Sequence, residues 1–336
     1  MKPSSRMILL VIIVAFCLLI IAGTFIAKNL PFTHAAPASA SPFFSPYADV
    51  MDGPSLQSVA QSTGQKFYTI SFVDSGGGTC NAEWDGTIPF DQTTTLLPHL
   101  NSDISFLRSQ GGDVTVSFGG GGQELALTCQ DSARLQAQYQ RVIDTYHVTR
   151  LDFDIEEGAQ GDTASYTRRN IALAGLEKAN PGLTISFTLP ALSTGLEDDS
   201  LGLLNNAKAE GVQFSIVNPM VFDFGEPDNN MGQAAIDGAT AVFHQVKQIF
   251  PNLSDTQAWA MVGTTVMIGQ SDSSGEDLTE QQAQQFVAFA HQMGMGSISF
   301  WELSRDNGSC PGQITSISSC SGLAQGNFAF TKMFER

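Results

Sequence analysis

The sequence is poor in charge, and poorest in positive charge. Only 15% of its 336 residues are charged, and Lys plus Arg number 16 against 33 Asp plus Glu, a formal net charge of −17. A general nucleic-acid binder displaces counterions with a basic surface, which this chain lacks. Histidine is scarce as well. His34, His99, His147, His244 and His291 are scattered, and no Cys-x-x-Cys spacing exists. Metal binding is therefore not expected, and no cofactor is implied. There is no Gly-x-Gly-x-x-Gly turn, no Gly-x-Ser-x-Gly elbow, and no Lys-Ser/Thr after the glycines at 119–122. Those absences argue against dinucleotide binding, Ser-His-Asp hydrolysis and a phosphate cradle. What remains is a chain with 42% apolar residues and 32 glycines, enough to bury a sizeable core with many tight turns.

One long apolar run stands at the N-terminus. Lys2 and Arg6 precede residues 7–27, which no charge interrupts, and a Pro/Ala/Ser stretch follows. A basic start before an apolar segment reads as an export signal, and 21 residues also suffice to span a bilayer. Thr33-His34-Ala35 and Ala38-Ser39-Ala40 offer small-residue cleavage sites. Residues 1–30 are expected to form a signal peptide or an N-terminal membrane anchor, with cleavage slightly preferred, 31–42 a linker, and 43–336 the folded domain. Retention would tether the protein through residues 7–27; either outcome places the bulk outside the cytoplasm, secreted or on the outer face of the membrane. Cysteine usage agrees: beyond Cys17 four remain, an even number suited to an oxidising compartment. Of three possible pairings, Cys80–Cys129 with Cys310–Cys320 is preferred.

Short β-branched and aromatic runs recur at 44–50, 67–73, 114–118, 150–155, 183–189, 212–217, 258–263 and 297–301. Segments of helical spacing lie between them, notably 96–110, 132–146, 166–179, 231–250 and 279–293. Thr279 with Gln282 resembles a capping box. Eight alternations over one chain fit an α/β fold of the (β/α)8 barrel type, a single domain; a doubly wound open sheet is the runner-up.

Barrel chemistry belongs at the C-terminal ends of strands. The fourth run reads Leu151-Asp152-Phe153-Asp154-Ile155-Glu156. Side chains two apart share a face of a strand. Asp152, Asp154 and Glu156 therefore point into the barrel, with Glu156 nearest the mouth, and Leu151, Phe153 and Ile155 point at the helices. Stacked carboxylates repel and burial disfavours their charge, so a proton is held among them, which is how a general acid is made. A solvated acidic edge or a calcium loop would not alternate with Leu, Phe and Ile in mid-chain.

Here the chain resembles glycoside hydrolase family 18, the chitinases and their relatives. That family's DxxDxDxE signature reads Thr149-Arg150-Leu151-Asp152-Phe153-Asp154-Ile155-Glu156, with Thr149 at the first acidic position. Its SxGG reads Ser117-Phe118-Gly119-Gly120, its MxYD reads Met220-Val221-Phe222-Asp223, and its strand-ending Trp is Trp301. The motifs fall in order on the third, fourth, sixth and eighth strands.

The resemblance implies a chitinase that cuts β-1,4-linked N-acetylglucosamine polymers with retention. Glu156 would be the general acid and then base, Asp154 would hold the substrate's 2-acetamido group, and Asp152 would tune Asp154 by sharing a proton. Asp223 would hydrogen-bond the sugar, Trp301 would floor it, Met220 would pack beside it, and Ser117, Gly119 and Gly120 would support the carboxylates. Phe222 lacks the hydroxyl that the family's Tyr donates. A chitin-binding lectin on the same barrel and an enzyme cutting N-glycan cores are the alternatives. The implied partners are chitin or chito-oligosaccharides, with a monomer expected; endo versus exo action stays open. Trp84, in a Gly-rich loop, is read equally as a sugar-stacking side chain or a cap on the barrel, Trp259 as core at the start of the seventh strand, and Asn218 as a ligand contact or a turn residue.

Overall fold

Alternation along the strands separates an aromatic outer shell from a hydroxyl-rich interior. In a computed structural model, which describes residues 41–225, 227–313 and 318–336, the fourth strand spans Arg150–Ile155. Its Phe153 stacks on Phe118 at 5.1 Å and meets Tyr139 edge-on at 5.1 Å. Tyr139 belongs to the helix Ser132–Tyr146, so Phe153 points outward as the alternation requires. Phe187 and Phe214 continue this shell. Fully burying one such ring stabilises the fold by roughly 1.5–3 kcal/mol. The inward positions carry Thr69, Thr115, Ser117, Asp152, Asp154, Thr188, Asn218, Thr265 and Ser299, all buried. The barrel interior is thus polar where many barrels stack branched aliphatics.

Eight strands run in parallel. The first is in two pieces, Phe43–Phe44 and Tyr47–Asp49; the others are Phe67–Ser75, Asp113–Gly120, Arg150–Ile155, Thr184–Leu192, Ile216–Met220, Thr265–Met267 and Ser297–Trp301. The first strand closes the ring: Phe43 aligns with Ser297 of the eighth strand and Tyr47 with Thr69 of the second. The helices Leu56–Thr63, Leu100–Ser109, Ser132–Tyr146, Thr163–Ala179, Asp198–Glu210, Met231–Ile249 and Glu280–Met293 lie between successive strands, and Ala329–Phe334 follows the eighth. Asp131, Asp162, Asn230 and Thr279 cap their helices by accepting from backbone N–H groups of the first turn. This is the (β/α)8 barrel expected from the alternation of runs.

Three boundaries differ from the sequence reading. The expected helix 96–110 is split into Thr93–Leu96 and Leu100–Ser109, because Pro98 cannot continue a helix and biases Leu97 toward extended backbone. The sixth strand lies at Ile216–Met220, four residues later than expected. Residues 258–263 do not form the seventh strand. Ser254 and Gln257 make a capping box that starts the helix Asp255–Trp259, and the strand begins at Thr265. Trp259 therefore ends a helix, buried and stacked on Phe243 at 4.4 Å.

The disulfides Cys80–Cys129 and Cys310–Cys320 join the preferred pairs. The apolar run at 7–27, both candidate cleavage sites and nearly all of the linker lie outside the described residues. Among the described residues, no helix is long and apolar enough to cross a membrane, and no group of three or more His, Cys, Asp or Glu is arranged to hold a metal ion.

Candidate active site

Asp152 lies at the middle of the fourth strand, 3% exposed. It is flanked in register by Ser117 of the third strand and Ser186 of the fifth. Four hydroxyls converge on it. Ser186 Oγ and Thr188 Oγ1 donate to Oδ1 at 2.5 and 2.9 Å, and Ser117 Oγ and Tyr47 Oη donate to Oδ2 at 2.7 and 2.9 Å. Asn218 Nδ2 supports Thr188 at 2.9 Å and Thr265 at 2.7 Å. Burial raises the Asp152 carboxyl above its usual range, and the hydroxyls pull it back. Both oxygens of Asp152 are thus engaged by donors, directly beneath Asp154 on the same face of the strand.

Asp154 stands one pleat nearer the mouth, also 3% exposed, with Oδ1 lacking a hydrogen-bond partner. Burial first, then the charges of Glu156 and Asp152, push its carboxyl well above the usual range. A side-chain hydrogen bond between the two carboxyls raises Asp154 and lowers Glu156. Glu156 follows the strand end and is partly exposed. Burial, then the charge of Glu157, then that of Asp223, bring it to about 7 despite the bond from Asp154. A carboxyl half-protonated near neutrality at the rim of a polar barrel can give a proton to a ligand and take one back.

The remaining candidates surround this stack. Gly119 pairs with Asp154 across the sheet. Its φ is +98°, and a Cβ there would sit 2.1 Å from the Asp154 carbonyl oxygen, so only glycine lets the third strand lie this close. Gly120 similarly makes room for the Phe72 ring. Trp301, partly exposed at the end of the eighth strand, stacks on Phe72 at 5.6 Å and 17° and lies 5.9 Å from Tyr47. Met220 is buried at the end of the sixth strand, aligned with Thr265. Phe222 is half-buried just beyond it, and Asp223 is exposed with φ +56°. The Asp223 charge acts on Glu156, while its Oδ1 accepts from Ser271 Oγ and from the Ser273 N–H.

Several contributors were not singled out from sequence. Tyr47, Phe72 and the pair Ser186 and Thr188 come from three different strands, and nothing in their local sequence marks them. Asp74 is a further buried acid, raised to about 7 by burial and then by Asp85 and Glu124; its charge also acts on Asp154. Glu124 is held by Arg169 in a buried ion pair at 3.0 Å. Two earlier alternatives resolve. Trp84 is fully buried, donating from Nε1 to Tyr146 Oη at 2.6 Å and packed edge-on against Phe90, so it caps the barrel flank and presents no face to a sugar. Asn218 lies within the sixth strand and not in a turn, a buried strut between the fifth and seventh strands.

No family model matches the chain. It is 32% identical over 311 residues to a probable bifunctional chitinase/lysozyme of Escherichia coli (strain K12), covering 87% of this chain and 34% of that one. It is 31% identical over 281 residues to endochitinase 11 of Metarhizium anisopliae, covering 78% of this chain and 52% of that one. The chain thus spans about a third and about half of the length of these two relatives. Among solved structures, the catalytic domain of a hyperthermophilic chitinase from Pyrococcus furiosus matches with a TM-score of 0.79 at 33% identity, over 91% of this chain and 97% of that one. With the ordered motifs and the barrel, these similarities show that the chain belongs to glycoside hydrolase family 18, the chitinase-like family.

Proposed function

We propose that the chain is a glycosidase that hydrolyses β-1,4-linked N-acetylglucosamine polymers, chitin or chito-oligosaccharides, with retention. The observation that carries this reading is the hydrogen-bonded Asp154–Glu156 pair on one strand face, with Asp154 pushed well above the usual carboxylate range and Glu156 raised to about 7 at the barrel mouth. The relatives named chitinase support the substrate class. In this reading Glu156 protonates the glycosidic oxygen as the C–O bond breaks. The substrate's own acetamido oxygen attacks the anomeric carbon, so no enzyme nucleophile is needed. Asp154 orients the acetamide and, by sharing its proton with Asp152 below it, balances the positive charge of the cyclic intermediate. Glu156, now ionised, takes a proton from the water that opens the intermediate and returns to its starting state. Trp301 and Phe72 floor the sugar, Met220 and Phe222 wall it, Asp223 binds a hydroxyl, and Gly119 keeps the third strand clear.

In this reading the barrel, residues 43–336, acts as a monomer outside the cytoplasm, secreted or tethered through residues 7–27; the two disulfides support the oxidising compartment. Phe222 favours one second reading, a lectin that binds chito-oligosaccharides without cutting them. Incubating the protein with chitotetraose separates the two: shorter products support the hydrolase, and bound but intact tetramer supports the lectin. Glu156→Gln is expected to abolish product formation while keeping tetramer binding. Wild-type turnover in that variant would remove Glu156 from the mechanism.

A further inference from the structure

Glu276 is a buried carboxylate without a basic partner. It is 1% exposed, and among the described residues no ion pair reaches it. Burying such a group is unfavourable unless donors compensate it. Its donors are backbone amides of the turn after the sixth strand. The Phe224 N–H donates to Oε2 at 2.9 Å; burial, joined by the charge of Asp223, raises the carboxyl above its usual range, while the amides of Phe224, Gly225 and Asp223 pull it back. Asp223 and Gly225 both have positive φ, which turns successive N–H groups toward one anion, a nest. The clasp is reciprocal. Asp223 Oδ1 accepts from Ser271 Oγ and from the Ser273 N–H at 2.8 Å, and the Asp228 N–H donates to the Gly275 carbonyl at 3.1 Å. Each loop therefore holds the other by a carboxylate, and the Asp223 carboxylate is the one beside Glu156.

We infer that Glu276 is a positioning residue, which fixes the left-handed Asp223 turn so that the Asp223 carboxylate faces the sugar bound at Glu156. This rests on the proposed function, since it presumes that Asp223 touches substrate. An unanchored turn with a non-glycine residue at φ +56° relaxes to ordinary backbone, and a displacement of about 1 Å at a binding group costs on the order of 10²-fold in rate.

The test is a double-mutant cycle on chitotetraose hydrolysis with Asp223→Ala, Glu276→Ala and the pair, with Glu276→Gln as the conservative variant. Glu276→Ala is expected to lower kcat/KM about 10²-fold. The double variant should fall no further than Asp223→Ala alone. Glu276→Gln, whose amide oxygen still accepts the Phe224 N–H, should recover at least part of the loss. If Glu276→Ala does not fold, Glu276→Gln carries the cycle, and its smaller loss should vanish in the Asp223→Ala background. Losses that add, with Asp223→Ala itself impaired, overturn the inference and leave the proposed function standing. An Asp223→Ala variant with wild-type kcat/KM removes Asp223 from the site and the inference with it. A wild-type protein that neither binds nor cuts the tetramer overturns the function first.

Discussion

Glu156 keeps a proton close to neutrality because it is mostly shielded from water and faces the charges of Glu157 and Asp223. As a general acid it must be protonated, so kcat/KM for chitotetraose is expected to fall as pH rises through about 7; a rate profile that stays flat to pH 9 would speak against this assignment. The same shift has a stability consequence of opposite sense to the usual carboxylate. The folded value lies above the unfolded value of 4.5, so the folded state binds the proton more tightly, and stability is lost as pH rises from about 4.5 through about 7. Glu156→Gln has no such loss. It should be more stable than the wild type at pH 8 by on the order of 1–3 kcal/mol, with the gap closing below about pH 4.5, as urea unfolding at the two pH values will show. The three acids were legible from their alternation alone. Their hydroxyl partners were not, because Ser186 and Thr188 lie 34 and 36 residues from Asp152 and gain meaning only through strand register.

Individual elements are set by local chemistry where that chemistry is complete. The Thr279–Gln282 capping box begins its helix as read. The Ser254–Gln257 box does the same but is followed by Trp259, Met261 and Val262, whose β-forming character suggested a strand. The cap fixes several backbone groups at once, and it outweighs the propensity of the short run at 258–263. At the third strand, closeness to the fourth depends on one residue lacking a side chain. Gly119→Ala combines a positive φ with a Cβ 2.1 Å from the Asp154 carbonyl. The strand must then move away, so a destabilisation of about 2–4 kcal/mol should come with loss of most activity. A variant equally active and equally stable would show that the third strand does not support the carboxylates.

Across the whole molecule, the walls of the mouth are stapled rather than merely packed. Cys80–Cys129 joins the loop after the second strand to the one after the third across 49 residues, and the Ser75 N–H donates to the Gln123 carbonyl beside it. Closing a loop of that length restricts the unfolded chain by roughly 4 kcal/mol. Replacing both cysteines with serine should lower unfolding free energy by about that amount, and a urea midpoint unchanged from the wild type would contradict it. Asp74 lies under this wall with its carboxyl at about 7, and its charge is one of those that raise Asp154.

The number of strand–helix units, the inward placement of Asp152, Asp154 and Glu156, and the even cysteine count could all be read along the chain, since each follows from periodicity, alternation or parity. The cage around Asp152, the Phe72–Trp301 floor, the burial of Trp84 and the Glu276 clasp were decided by the closed ring. Closing it sets the register between strands distant in sequence, and only that register says which serine meets a carboxylate and which tryptophan never sees solvent.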